Sequence, residues 1–439
     1  MIINKTTSYC CECSKSHAAT IEHNGACINF LVDCPKGIKS SRISADAGIF
    51  LGIRRKYPRD LSLPAVHKGK KWSHLIEITD DCNFKCPVCY ADAGSGPVKT
   101  FLTQEAVLER AAAVRKSGGK IVTLTGGEPT LHSDLPVLVR KITDRGLKVE
   151  IATNGMKIAQ DPGYARSLKE SGLQRAWLQL DTLNEDTHLK MRGNDFVEQK
   201  RKAAGNIIAC GLRLGIIVTV TSLNINDIDS ILEYSLTLGA QLDFIVFQVA
   251  APAGRYQLLA DTITDREAVI KRLMTSRVLH TVRSIDNFWP LPAFRPWQLE
   301  VHPDCSAILF LLVEGTSAQP IDDLINMPAF YRRLNANTMP PSFLSRNIVP
   351  IFYALRETSL KNLLKLMQYL YGFITGRGKK RMMVISIDSF LGAEYQDEQR
   401  LARCANSFVT PFGLLSPCIY NYPDKRRAGS RKNLEERCG

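Results

Sequence analysis

The 439-residue chain is 45% hydrophobic and 23% charged, a globular balance with material for two or three domains that excludes a disordered or fibrous chain. No apolar run reaches the ~18–20 residues that span a bilayer, and the opening MetIleIleAsnLysThrThrSer has no leader-like apolar stretch, so the thirteen cysteines read as metal ligands in a reducing, cytoplasmic setting, not as a disulfide framework. The net charge of +14 suits nucleic acid, anionic lipid or a phosphorylated substrate and specifies none of them.

Residues 1–72 begin with clustered thiols. Cys10, Cys11 and Cys13 precede Cys27 and Cys34. Cys10-x2-Cys13 with Cys27 and Cys34 makes a four-thiolate tetrahedral set for zinc or iron, rubredoxin-like in its chemistry. The spacing leaves open whether Cys10 or Cys11 coordinates. Unliganded thiols in a small domain are the competing reading, and five cysteines within 25 residues weigh against it. The rest of this segment reads as basic and irregular.

Residues 73–250 alternate strand and helix. Apolar, β-branched runs lie at 74–79, 120–125, 147–152, 176–181, 213–220 and 242–248. Helical patterns lie between them at 103–117, 133–145, 163–171, 197–210 and 226–238. This alternation predicts an α/β fold on a parallel sheet. Directly after the first strand comes ThrAspAspCysAsnPheLysCysProValCysTyr (79–90), which holds Cys82, Cys86 and Cys89 as C-x3-C-x2-C. Three thiolates can hold three irons of one [4Fe–4S] cube and leave the fourth iron open. Ferredoxin sites close that position with a fourth cysteine, and the next cysteine here is Cys210. A structural zinc would need a second knuckle or a His pair, and the nearby His74 reads as a strand residue.

After the second strand stands ThrGlyGlyGluProThr (125–130). Its two glycines let backbone approach a ligand, and Pro129 fixes the turn. ThrAsnGly (153–155) follows the third strand. Gln179-Leu180-Asp181 ends the fourth, with Met191-Arg192-Gly193 downstream. Singly these are turn and cap chemistry. Together with the cysteine triplet, in this order, they resemble the radical S-adenosylmethionine (radical SAM) superfamily. The resemblance implies a partial (β/α)6 TIM-type barrel with its chemistry at the C-terminal strand ends. It implies a [4Fe–4S] cluster whose open iron chelates SAM, and reductive cleavage of SAM to a 5′-deoxyadenosyl radical that takes hydrogen from an inert carbon. It places Gly126, Gly127, Glu128, Pro129, Asn154, Asp181 and Arg192 around SAM and calls for a reductant such as ferredoxin or flavodoxin. Thr219 and Gln248 end strands five and six on the cavity side. No side chain receives a catalytic role.

Residues 251–439 mix helices, prolines and further cysteines. Cys404, Gly413 and Cys418 are spaced as C-x8-G-x4-C, which resembles the opening of the SPASM auxiliary-cluster motif, one residue short. Cys305 is a further ligand candidate and Cys438 a fourth, for an auxiliary [4Fe–4S] cluster. Scattered buried thiols are the competing reading. Residues 360–381 form an apolar-rich helical stretch running into a basic cluster, read either as a core helix with a basic cap or as a segment at a membrane surface.

The layout along the chain resembles the archaeal tetraether lipid synthases and the class D radical SAM methyltransferases. The supporting pieces are CysGluCys with CysProLysGly, His67-Lys68, CysAsnPheLysCysProValCysTyrAla, ArgLeuAlaArgCys and SerProCysIleTyrAsnTyr. Two pieces depart from that pattern. Cys34-Pro35-Lys36-Gly37 lacks the usual His, and a Cys expected before His67 is absent. The resemblance implies C–C bond formation or methylation at an inert carbon of a lipid-like or small hydrophobic substrate, in an N-terminal metal domain (1–72), a radical SAM core (73–250) and an auxiliary-cluster region (251–439). Two other functions fit parts of the chain: a SPASM-type peptide maturase, and a non-catalytic iron–sulfur or zinc protein that binds nucleic acid.

Overall fold

In the computed structural model of the protein, residues 1–10, 13, 15–57, 60–61, 71–95, 99–292, 300–375, 379–392 and 396–420 are described. Cys11, His67, Lys68, Cys438 and the basic run 425–432 lie outside them. The strands are β1 (Ile2–Cys10), β2 (Lys15–Asn24), β3 (Cys27–Cys34), β4 (Gly37–Ser44), β5 (Ser73–Thr79), β6 (Ile121–Gly126), β7 (Lys148–Thr153) and β8 (Leu173–Gln179). They continue as β9 (Arg213–Val220), β10 (Leu242–Val249), β11 (Phe288–Trp289), β12 (Ser306–Glu314), β13 (Ser317–Pro320), β14 (Lys380–Ser389), β15 (Asn406–Thr410) and β16 (Gly413–Leu415). From β5 to β10 each strand is followed by helix, the (β/α)6 repeat of the partial barrel, and its six strands fall where the apolar runs lie. The chain forms two compact units.

One unit joins Lys70–Asp227, Ala250–Ile263 and residues from Ala405 onward. Its strands β5, β6, β7, β8 and β9 run parallel in that order. β15 adds in parallel to β5, and β16 folds back on β15 as a hairpin. Ile76, Ile78, Val122, Leu124, Val149 and Ile151 are buried. These are alternate positions, so one face of each strand is packed in the core while residues such as Glu77 and Glu150 lie on the other. The helices carry their own stop signals. Helix Glu185–Arg192 is capped by the Asn184 side chain, which accepts from Thr187 N, and it ends at Gly193 in the left-handed region. Those two caps make Arg192 the last helical residue.

The other unit joins Met1–Gly69, Ile228–Val249 and Thr264–Cys404. Its N-terminal part is an antiparallel meander, β1-β2-β3-β4, where the sequence reading expects irregular chain. Ile21, Ile28, Phe30 and Val32 alternate onto one face and pack on Phe50 of helix Ala47–Arg55. Its remaining strands pair in the order β11-β12-β14-β10, with β10 parallel to β14 and β12 antiparallel to it. The region past residue 250 therefore holds strands as well as the expected helices. The helix expected over 360–381 is Leu360–Thr375. Arg381, read as part of a basic cap, lies inside β14 and is buried. Its guanidinium donates to the carbonyls of Leu242 and Leu236, the latter in the last turn of helix Ile228–Thr237, where unpaired carbonyls favour a cation. Among the described residues no helix is long and apolar enough to cross a membrane.

Candidate functional site

The triplet loop leaves the C-terminal end of β5 and is tied down at both ends. Thr79 Oγ1 donates to the Thr100 carbonyl at 2.7 Å and accepts from Asp81 N at 3.0 Å. Arg255 clamps the middle: its Nε donates to the Cys86 carbonyl at 3.0 Å, and its terminal nitrogen reaches the Ala93 carbonyl at 2.8 Å and the Asp92 carboxylate at 3.2 Å. Its backbone N–H also donates to the Cys89 carbonyl at 2.9 Å. Gly254 permits this approach. It sits at φ +58°, and a Cβ there would lie 2.5 Å from the Tyr90 carbonyl oxygen.

Cys82, Cys86 and Cys89 are packed with Phe84, Met156 and Phe196. Phe84 stacks on Phe196 with ring centroids 4.6 Å apart. Burial pushes the Cys82 thiol up to about 12, and the nearby Glu128, Cys86 and Cys89 push the same way. A tetrahedral zinc with Zn–S of about 2.3 Å would hold its sulfurs roughly 3.8 Å apart. Among the described residues, the His, Cys or carboxylate group whose ligand atoms gather within 4.8 Å is Cys10, Cys13 and Cys34. The triplet is not drawn together that tightly, and it fits a larger multi-iron cluster better than a single ion. His74, buried in β5 on the far side of the strand from the loop's start, does not join it.

The Gly126–Pro129 loop lies directly against the triplet loop. Gly127 N donates to the Thr79 carbonyl at 2.9 Å and Glu128 N to the Asp81 carbonyl at 2.8 Å. A Cβ on Gly126 would come within 2.0 Å of the Thr79 oxygen, and one on Gly127 within 2.0 Å of the Asp81 oxygen. Only glycine fits either position. The Glu128 carboxylate is buried and accepts from Thr130 N at 3.1 Å, Thr130 Oγ1 at 2.6 Å, Thr153 Oγ1 at 2.6 Å and Asn154 N at 2.6 Å. Three of these bonds fall on Oε1 and one on Oε2. Glu128 therefore binds the ends of β6 and β7 to one another. Pro129 is buried and starts the turn that follows.

Asn154 Nδ2 donates to Asn83 Oδ1 at 2.7 Å, which ties the end of β7 to the triplet loop. Asp181 is fully buried. Its carboxylate accepts from Gln179, from Arg192 Nε and from Thr219 N. Arg192 also reaches Thr219 Oγ1 at 3.1 Å. Burial alone would lower the Arg192 pKa, but the Asp181 carboxylate and the Cys86 thiol outweigh it, so the guanidinium stays charged beside the triplet.

Three residues at this site went unassigned in the sequence reading. Arg255 and Gly254 follow β10, and nothing in AlaProAlaGlyArg announces a return to the triplet. Lys200 was legible in principle. It shares the buried face of helix Val197–Ala209 with Val197, Ala203, Ala204 and Ile207, an apolar stripe in which a lysine stands out. Its Nζ donates to the Asn154 carbonyl at 2.6 Å and Gln179 Oε1 at 2.8 Å, and stands 5.3 Å from the Phe84 ring centre. Burial lowers its pKa to about 8, with Arg192 pushing the same way against Asp181 and Cys86.

The N-terminal set differs from the expected four thiolates. Cys10 ends β1 at its turn into β2, and Cys34 ends β3 at its turn into β4. Cys27 begins β3 at the opposite end of the meander, opposite Asn24. A strand rises about 3.3 Å per residue, so Cys27 stands roughly 20 Å from Cys34 and leaves the set. The structure brings His17 instead: its Nε2 lies 2.8 Å from Cys13 Sγ, and Cys13 Sγ lies 3.7 Å from Cys34 Sγ.

Cys305 and Cys404 share the second unit. Burial raises the Cys305 pKa to about 11, with the Arg400 guanidinium, whose Nε donates to its sulfur at 3.3 Å, pulling it back and the Cys404 thiol pushing it up. Cys418 belongs to the other unit, in helix Pro417–Tyr420, and Cys438 is outside the described residues.

Residues 76–235 match the Radical SAM superfamily. The chain is 26% identical to a 7,8-dihydro-6-hydroxymethylpterin dimethyltransferase of Methanocaldococcus jannaschii, over 95% of this chain and 93% of that protein. It is 27% identical to a probable GTP 3′,8-cyclase of Methanococcus maripaludis, over 45% of this chain and 66% of the relative. Among solved structures, Streptococcus suis SuiB bound to S-adenosylmethionine aligns with a TM-score of 0.39 at 18% identity, over 45% of this chain and 44% of that one.

Proposed function

Starting from residues 76–235 as a radical SAM domain, in a chain that is a radical SAM enzyme, we propose that the protein methylates, or forms a C–C bond at, an inert carbon of a lipid-like or small hydrophobic substrate. The observation that carries the transferase reading is the dimethyltransferase relative, aligned along 95% of the chain and so far beyond the domain itself. The lipid-like acceptor rests on the resemblance of the cysteine-bearing flanks to the lipid synthases. A pterin acceptor is the second reading, favoured by what that same relative acts on. No observation favours a peptide maturase or a nucleic-acid binder.

When bound, a [4Fe–4S] cluster and SAM supply one electron and a carbon-centred radical. In this reading Cys82, Cys86 and Cys89 are the cluster thiolates. Arg255 and Gly254 hold their loop in one shape, a positioning role. The backbone of Gly126 and Gly127 faces the SAM amino group, and Glu128 shapes that loop from behind. Arg192, fixed by Asp181, keeps a positive charge beside Cys86, which favours the carboxylate end of SAM. Asn154 and Thr219 line the same rim. A ferredoxin- or flavodoxin-like protein delivers the electron in the cytoplasm. Cys305 and Cys404, which share one unit, are ligands of an auxiliary cluster. Cys10, Cys13 and Cys34 gather as a mononuclear three-thiolate site suited to zinc, and His17, in contact with Cys13, is its candidate fourth ligand.

The test is an anaerobic assay of the reduced, iron–sulfur-reconstituted full chain with SAM carrying a deuterated methyl group. The expected outcome is 5′-deoxyadenosine, with either labelled methyl added to an extracted lipid or, for C–C bond formation, an unlabelled coupled lipid. Absence of 5′-deoxyadenosine sinks the enzyme reading. Label in the pterin alone replaces the lipid reading with the second one.

A further inference from the structure

Helix Leu360–Thr375 is apolar on its outward face as well as its inward one. Its inward face carries Leu366 and Tyr369, packed on Trp289, Leu312 and Tyr331 in the core of its unit. Its outward face would ordinarily be polar. Instead Leu360, Leu364, Met367, Tyr371 and Ile374 are exposed there, Leu364 at 69%. These positions recur every three or four residues and form one continuous stripe. The preceding helical segment repeats the pattern. Phe343, 78% exposed, is followed by exposed Leu344, Ile348 and Phe352. Scattered exposed apolar residues are ordinary, but contiguous ones on two successive helices mark a contact surface.

The surrounding charge says what the surface meets. Residues 343–380 hold seven Lys and Arg against one acidic residue, Glu357, and Glu357 is already paired with Arg333. Arg356, Lys361 and Lys379 are exposed at its margins. A second copy of this chain would bring the same positive charges face to face. The chain's last segment, 421–439, has six basic and three acidic residues and is repelled as well. An anionic bilayer complements both the charge and the apolar stripe. Long lysine stems can lie along the apolar surface while their ammonium groups reach lipid phosphates. No described helix can cross a membrane, so the segment would lie in the plane of the interface.

We infer that the outward face of residues 343–375 docks this protein on an anionic bilayer surface. The inference does not depend on a lipid being the substrate. The test is flotation of the full, cluster-loaded chain with vesicles of phosphatidylcholine, with and without phosphatidylglycerol. The wild type is expected to float with the anionic vesicles at low salt and to release at high salt. Leu364→Glu combined with Tyr371→Glu is expected to abolish flotation while leaving SAM cleavage in solution intact. Lys361→Ala with Lys365→Ala is expected to weaken anionic-vesicle binding roughly thirtyfold. Three results would overturn the inference: no flotation of the wild type, flotation of the glutamate variant equal to wild type, or a wild-type dimer that the glutamate variant dissociates without any vesicle binding.

Discussion

Lys200 concentrates the cost of building this site. A fully buried ammonium with two carbonyl-type partners keeps its proton only against desolvation, which brings its pKa to about 8. The unfolded chain holds that proton up to about 10.4, so the unfolded state binds more protons between those values and stability rises with pH across that window. Below pH 8 the burial cost is present in full. It amounts to about 3 kcal/mol on the linkage scale and fades as pH climbs past 10. Lys200→Met removes this titration. The expected result is that the stability of wild type relative to the variant, read from urea unfolding under anaerobic conditions, increases between pH 7 and pH 10. A difference that is flat with pH would refute the assignment. The residue scale also shows where sequence reading stops. Gly126 and Gly127 announce themselves because a close backbone approach admits no other residue, and a Cβ added to either would fall 2.0 Å from an opposing carbonyl oxygen. Glu128 is visible as a carboxylate but not as one buried against Thr130, Thr153 and Asn154. His17 had no motif to mark it, since a ligand four residues from a cysteine becomes a neighbour only when the β1–β2 turn folds.

Single elements were legible where one periodicity dominates. The strands of the βα repeat carry buried apolar runs, and helices such as Gln104–Lys116 and Val197–Ala209 begin and end close to their patterns. The meander of residues 2–44 was missed because half-buried antiparallel strands alternate with polar residues such as Thr, Ser, Lys and His, so their apolar signal is halved. β14 was read as a basic cap because its first residues are Lys380 and Arg381, and only the Leu236 and Leu242 carbonyls explain a buried arginine there. The segment Ala250–Ile263 is the element on which the triplet loop depends. Gly254→Ala introduces a Cβ at 2.5 Å from the Tyr90 oxygen on a left-handed backbone. The expected cost is about 1–3 kcal/mol, paid by displacing Arg255 from the Cys86 carbonyl. Iron analysis after anaerobic reconstitution is expected to show faster loss of iron from this variant under chelator challenge than from wild type, with a lower melting temperature.

At the scale of the molecule, chain order and spatial order diverge. Each compact unit is assembled from three separated segments, so a boundary at residue 250 in the linear reading cuts through β10's pairing with β14, 130 or more residues later. A fragment spanning 73–250 keeps the triplet but leaves β10 without β14 and helix Ile228–Thr237 without Arg381. It is expected to aggregate or unfold where the full chain stays folded, as read by circular dichroism and gel filtration. Metal content separates the remaining sites. The full chain is expected to hold about one zinc beside its iron. Cys34→Ser and His17→Ala should lose the zinc while Cys27→Ser retains it, and loss of zinc in Cys27→Ser would restore the four-thiolate set.

The hydrogen bond from Thr6 to Asp397 joins residues 391 positions apart. A ribosome adding about 5–20 residues per second needs roughly 20–80 s between these two residues. For most of that interval β1 is outside the exit tunnel while Asp397 has yet to be made. The parallel sheet waits almost as long, since β15 pairs with β5 only after residue 406. The N-terminal thiols lie within β1–β4, which form a sheet of their own, and can gather early. The triplet differs, because the sheet that carries it gains its β15 edge only near the end of synthesis, and loading it with iron depends on the carriers present at that moment.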